Sequence, residues 1–171
     1  MFGTRISRWA ALAACFCATS VTAGIADPVQ LINGTDRAKL VITAVGVRAD
    51  SKAGVTVDCL SLEKAKPVLL AVEVFSGTGF SQNDITAGEG VITLAPGETR
   101  GIHVVDDGGS VAFTSASTVI RNVVDVTQGS LRVVATSSKI ACSVITLDRV
   151  NSPPNFIWPN KVFVKTKQQG D

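Results

Sequence analysis

The chain is predicted to be all-β, an antiparallel sandwich of about eight strands. Three observations carry that prediction. Apolar and polar residues alternate with period two along many short runs rich in Val, Ile and Thr. Gly, Pro, Asn and Asp punctuate those runs every eight to fifteen residues or so. Windows of Ala, Leu, Glu and Lys with helical spacing are almost missing.

The elements follow in order. Residues 38–50 form a first strand, with Val41, Thr43, Val45 and Val47 expected on one side. Residues 55–62 form the next, with Val57, Cys59 and Ser61 on one face and Asp58, Leu60 and Leu62 on the other. Pro67 breaks the chain before a strand at 68–75, whose apolar face is Val68, Leu70, Val72 and Val74. Glu73 stands on the opposite face, which is therefore expected to meet water. Residues 76–90 hold four glycines and Asn83-Asp84 and read as a long loop. Residues 91–99 run into a turn at Pro96-Gly97, where Pro presets φ and Gly accepts a positive φ, as a type II turn requires. A return strand at 100–105 is followed by a turn at 106–109 and short strands at 110–115 and 118–127. Gln128-Gly129 is expected to turn the chain back into 130–137, followed by 139–147. Prolines 153, 154 and 159 interrupt 151–160, and 161–167 is a last strand.

The first 26 residues stand apart from that domain. Arg5 and Arg8 precede an uncharged apolar run from Trp9 to about Val21, followed by small residues at Val21-Thr22-Ala23 and Gly24-Ile25-Ala26. This is the pattern of a secretory signal peptide, and the run is shorter than the roughly 20 residues a membrane span needs. The expected organisation is a signal peptide at 1–26 and a single sandwich domain at 27–171, with cleavage after Ala23 or Ala26. Leu12-Ala13-Ala14-Cys15 also resembles a lipobox, which would make Cys15 a lipidated N-terminus. The expected location is the periplasm or the extracellular space.

Without Arg5 and Arg8 the remaining chain has 14 basic and 14 acidic side chains. That balance offers no electrostatic basis for nucleic-acid binding. No transmembrane span is expected in the mature chain. It keeps two cysteines, Cys59 and Cys142, and in an exported protein an even pair reads most simply as a disulfide. A bridge from an early strand to a late one, between the two sheets, is what an immunoglobulin-like sandwich would have. Here no Trp lies between the cysteines, so immunoglobulin-like describes the architecture and not membership of that family.

The combination of residues 71–75 (AVEVF), 94–99 (LAPGET) and 135–148 (ATSSKIACSVITLD) resembles a loose group of small exported bacterial proteins, single β-sandwich domains of uncharacterised function. The resemblance implies fold and compartment and supplies no catalytic or binding residues.

Chemistry is sparse. His103 is the single histidine, and no G-x-S-x-G elbow accompanies it. It reads as a strand residue. The alternative is a hydrolase-like site assembled in space near His103 or the 76–90 loop. Metal ligation is not expected: Asn83-Asp84 with Glu89, and Asp106-Asp107, lack calcium-loop spacing and suit turns better. No cofactor is expected. Phe156-Ile157-Trp158 lies between prolines, either pinned onto the core or exposed as an anchor for a partner, with Phe156 and Trp158 as the contact residues. Lys161, Lys165 and Lys167 on the last strand read as protection of a sheet edge. Asn33-Gly34-Thr35 matches a glycosylation sequon, idle in a bacterial protein. The expected function is a non-enzymatic exported protein acting by binding, with an envelope protein as partner, or as an envelope component.

Overall fold

Alternation of β-branched residues builds two packed sheets. The structure is a computed structural model that describes residues 24–106, 118–124, 126–151 and 153–165. Its strands are β1 (Leu40–Ala49), β2 (Ala53–Ser61), β3 (Val68–Phe75), β4 (Val91–Leu94), β5 (Thr99–Val104), β6 (Thr118–Ile120), β7 (Val126–Ala135), β8 (Ile140–Asp148), β9 (Ile157–Pro159) and β10 (Lys161–Lys165). One sheet has the order β10-β1-β7-β3-β4 and the other β6-β5-β2-β8-β9. All pairings are antiparallel except β5 with β6. The leader through residue 23, Cys15 within it, the strand expected at 110–115, Asp107 and Lys167 lie outside the described residues.

The inward residues of both sheets form one core. Leu70, Val72 and Val74 of β3, Val55 and Val57 of β2, Val104 of β5 and Leu131 of β7 are all buried there. Removing this much branched apolar surface from water is the main favourable contribution to folding.

Four expectations about the strands are corrected. Val47 does not share a side with Val41, Thr43 and Val45. Gly46 takes φ +69° and the register slips between Val45 and Val47, a bulge that returns Val47 and Ala49 to the core beside Leu40, Ile42 and Ala44. Gln128-Gly129 is no turn but lies within β7, and the run expected at 118–127 breaks instead at 121–124, where Asn122 takes φ +58°. A Cβ on Gly129 would stand 2.5 Å from the Phe75 carbonyl oxygen, so glycine is there for close approach of two backbones.

The third correction concerns the outer face of the first sheet. Glu73 does not meet water; it is 2% exposed. The segment before β1 and the 76–90 connection lie over this face. Ile32 and Ile85 pack there on Ala71 and Val134, with Val29, Ala38 and Leu69 around them. The Pro96-Gly97 turn is as expected: Gly97 has φ +75° and the Glu98 amide donates to the Ala95 carbonyl at 3.0 Å.

The fourth concerns the disulfide. Cys59 and Cys142 are bonded, but the bridge lies within one sheet and not between the two. β2 and β8 are neighbours, and the two cysteines are directly opposite with Cα atoms 4.1 Å apart. The Leu62 amide donates to the Lys139 carbonyl, so by alternation Cys59 and Cys142 form a close, non-hydrogen-bonded pair. Both side chains point inward into the core.

Candidate functional site

His103 is placed by the alternation of β5. Ile102 and Val104 point into the core, so Gly101 and His103 point out. Thr56 of β2 and Val119 of β6 flank it in register. Yet His103 is 1% exposed. Burial pulls its pKa below 6.5, against the nearby Asp58 charge. Asp58 in turn is raised by burial, with His103 opposing. A general base has to reach its substrate, and this imidazole is shut away from solvent.

The 76–90 loop is held by its own polar groups. The Asn83 amide group donates to the Val72 and Glu89 carbonyls while its Oδ1 accepts from the Val74 amide. Asp84 caps a single 3₁₀ turn, Ile85–Ala87, and its amide donates to Glu89 Oε2. Hydrogen bonds from Thr86 hold the Asp84 carboxyl below its usual range. Asp106 pairs with Arg149. Among the described residues no three His, Cys, Asp or Glu side chains converge as metal ligands do. Asn33 takes φ +52° in an exposed turn, with Thr35 bonded to Asp36. A cleft of about 280 Å³ lies among Pro28–Leu31, Arg37 and Ala38, with Arg37 as its one charged side chain.

A buried ion pair escaped sequence reasoning. Arg132 Nε lies 2.9 Å from Glu73 Oε2 across β3 and β7, and the guanidinium stacks 4.9 Å from the Phe75 ring centre. Its Nη1 donates to the carbonyls of Ile25 at 3.3 Å and Asp27 at 2.7 Å. Burial pushes the Glu73 carboxyl up, Arg132 opposes this, and Asp84 adds to the rise. The only signal was one acid and one base, each set in an apolar strand.

The strongest surface feature is the side of the sandwich where β9 and β10 are both edge strands. The chain crosses from one sheet to the other at Asn160. Its amide donates to the Val144 carbonyl, its Oδ1 accepts from Thr146 Oγ1, and its Nδ2 donates to the Gly46 carbonyl at 3.0 Å. This polar pin places the two edges side by side. Phe156 and Trp158 stack with ring centres 4.7 Å apart. The 156–158 segment is not pinned onto the core: Ile157 is 58% and Trp158 51% exposed.

All five residues of β10 are exposed, including Val162, Phe163 and Val164. Val162 and Val164 stand opposite Ala44 and Ile42, on the inward side of the sheet, but lie beyond the cover of the other sheet. Lys161 and Lys165 flank the three, with the Lys161 ammonium 5.1 Å from the Phe163 ring centre. Sequence reasoning found Phe156, Trp158 and the lysines. It missed Val162, Phe163 and Val164, whose alternation with lysine looks like that of any half-buried strand.

No protein-family model matches the chain, and no curated protein and no solved structure shows significant similarity to it.

Proposed function

We propose that this chain is an exported, non-enzymatic binding domain of the bacterial envelope, periplasmic or extracellular, that takes up an extended segment of a partner protein along β10. The observation that carries the reading is the apolar strip Ile157, Trp158, Val162, Phe163 and Val164 on two adjacent strand edges. Large exposed apolar side chains gathered along a sheet edge mark interaction sites, and an open strand edge offers backbone donors and acceptors to an added strand. Lys161 and Lys165 favour a segment that places acidic residues beside its apolar ones. They disfavour a second copy: antiparallel pairing centred on Phe163 would set Lys161 against Lys165 of the other chain.

The leader pattern and the oxidised cysteine pair support the compartment. The likeness to small exported bacterial sandwich domains, and the immunoglobulin-like description of the architecture, belong to the same reading. The bridge within one sheet is a departure from immunoglobulin domains, where the equivalent bond spans the sandwich.

The test is an NMR titration of the isotope-labelled domain with extended peptides that alternate acidic and apolar residues. The expected result is shifts centred on the amides of 161–165, abolished by Phe163→Lys with the fold intact. Self-association through β10, or binding to anionic vesicles in place of peptide, would overturn the reading.

A further inference from the structure

We infer that the mature chain begins at Gly24, through cleavage of the Ala23–Gly24 bond and not of the bond after Ala26. The inference rests on the export reading proposed above. By sequence the two sites are equivalent, since both present small residues in an A-x-A-like pattern. The structure distinguishes them.

Residues 24–27 form a turn closed from both ends. The Gly24 nitrogen donates to Asp27 Oδ2 at 2.5 Å, and the Asp27 amide donates to the Gly24 carbonyl at 3.0 Å. Gly24 also forms a β-bridge with Phe80, and the Ile25 amide donates to the Gly79 carbonyl. The Ile25 carbonyl is one of two backbone oxygens that accept from Arg132 Nη1. Gly24 and Ile25 therefore belong to the fold.

Hydrolysis adds water across the peptide bond. The carbonyl carbon keeps the hydroxyl as a carboxylate, and the released nitrogen becomes an ammonium. An export endopeptidase acting after Ala23 would put that ammonium on Gly24, against the Asp27 carboxylate already in place. A hydrogen bond from a neutral amide to that carboxylate becomes an ion pair, and no contact among the described residues is lost.

A cut after Ala26 has the opposite effect. Asp27 becomes the ammonium and its acceptor, the Gly24 carbonyl, is gone. Arg132 loses the Ile25 carbonyl, although its Nη2 already has no hydrogen-bond partner among the described residues, and a second positive charge appears next to the Asp27 carbonyl it grips. Taking an acceptor from a buried cation is destabilising.

The experiment is intact-mass measurement and N-terminal sequencing of the protein recovered from the exported fraction of a bacterial host expressing the full chain. A start at Gly24 is expected. A start at Asp27, or a lipidated start at Cys15, overturns the inference and leaves export standing. An uncleaved chain confined to the cytoplasm overturns both. In parallel, recombinant domains beginning at Gly24 and at Asp27 are melted side by side. The Gly24 form should melt several degrees higher, and Asp27→Asn should remove most of that gain in the free-amine form and less of it after acetylation. Equal melting temperatures for the two starts would remove the physical basis of the inference.

Discussion

Glu73 and Arg132 face each other across β3 and β7, Oε2 to Nε 2.9 Å, both buried beneath the segment that precedes β1. The pair ties that segment to the sheet, because the same guanidinium holds the Ile25 and Asp27 carbonyls. A buried ion pair recovers its desolvation cost only when most of its valences are met. Here one carboxylate, two carbonyls and an aromatic face surround the cation.

Arg132→Met should therefore cost about 3–5 kcal/mol, since it strands a buried carboxylate. The double variant Glu73→Leu/Arg132→Met should recover part of that loss, because no charge is left unpaired. Urea unfolding midpoints of the three proteins decide it. A double variant no more stable than Arg132→Met alone would show that the carbonyl contacts, and not the charge pair, dominate.

His103 makes the domain sensitive to mild acid. Its folded pKa is held below 6.5 by burial, so below that value the unfolded chain binds a proton that the folded chain refuses. The stability this imidazole contributes is present above pH 6.5 and is lost as pH falls from there through the folded value. Unfolding free energies at pH 7 and pH 5 should differ in the wild type and differ less in His103→Gln, whatever that variant's absolute stability. An unchanged slope would mean that His103 takes up its proton in the folded state.

The Cys59–Cys142 bridge closes a long loop, its ends 83 positions apart. In the chain-entropy account such a loop is worth about 4 kcal/mol through restriction of the unfolded chain. β2 and β8 are already paired on either side of the bridge, so the reduced sheet should keep its register. Cys59→Ala/Cys142→Ala should thus fold to the same structure with a lower guanidinium midpoint. A variant that fails to fold would show that the bridge directs folding as well as stabilising its product.

What was legible in the sequence was local. Val68, Leu70, Val72 and Val74 alternate, and they form the core face of β3. Pro96 and Gly97 name their turn through their own φ preferences. Counting cysteines found the bridge. What was not legible depends on which strand lies beside which. The bridge falls within a sheet because β8 returns next to β2, a choice made 83 positions away. Glu73 is buried because a distant N-terminal segment and Arg132, 59 positions on, cover it. Gly129 looks like a turn residue until the Phe75 carbonyl is seen against it. The apolar strip on β9 and β10 follows the same logic: alternation says a strand has two faces, but only strand order says that this one is left uncovered.

Asp148 sets the shape of the approach to that strip, and it should do so only above strongly acid pH. Its Oδ1 accepts from the amides of Val150 and Asn151, and its Oδ2 from Asn151 Nδ2 and the Asn155 amide. These bonds, the Asn151 side chain first among them, lower its pKa from 3.8 to about 2. A carboxylate depressed in the folded state contributes stability that is present above its unfolded value and lost as pH falls toward the folded one. The 148–156 turn should therefore loosen between about pH 4 and pH 2. Trp158, the one Trp after the leader, reports on it through its stacking with Phe156. Its fluorescence should change across that window in the wild type, ahead of the loss of β-sheet circular dichroism. In Asp148→Asn the same change should already be present at neutral pH, and the acid step should be missing. Superimposable traces from the two proteins would mean that the turn is held by the β8–β9 pairing, not by the carboxylate.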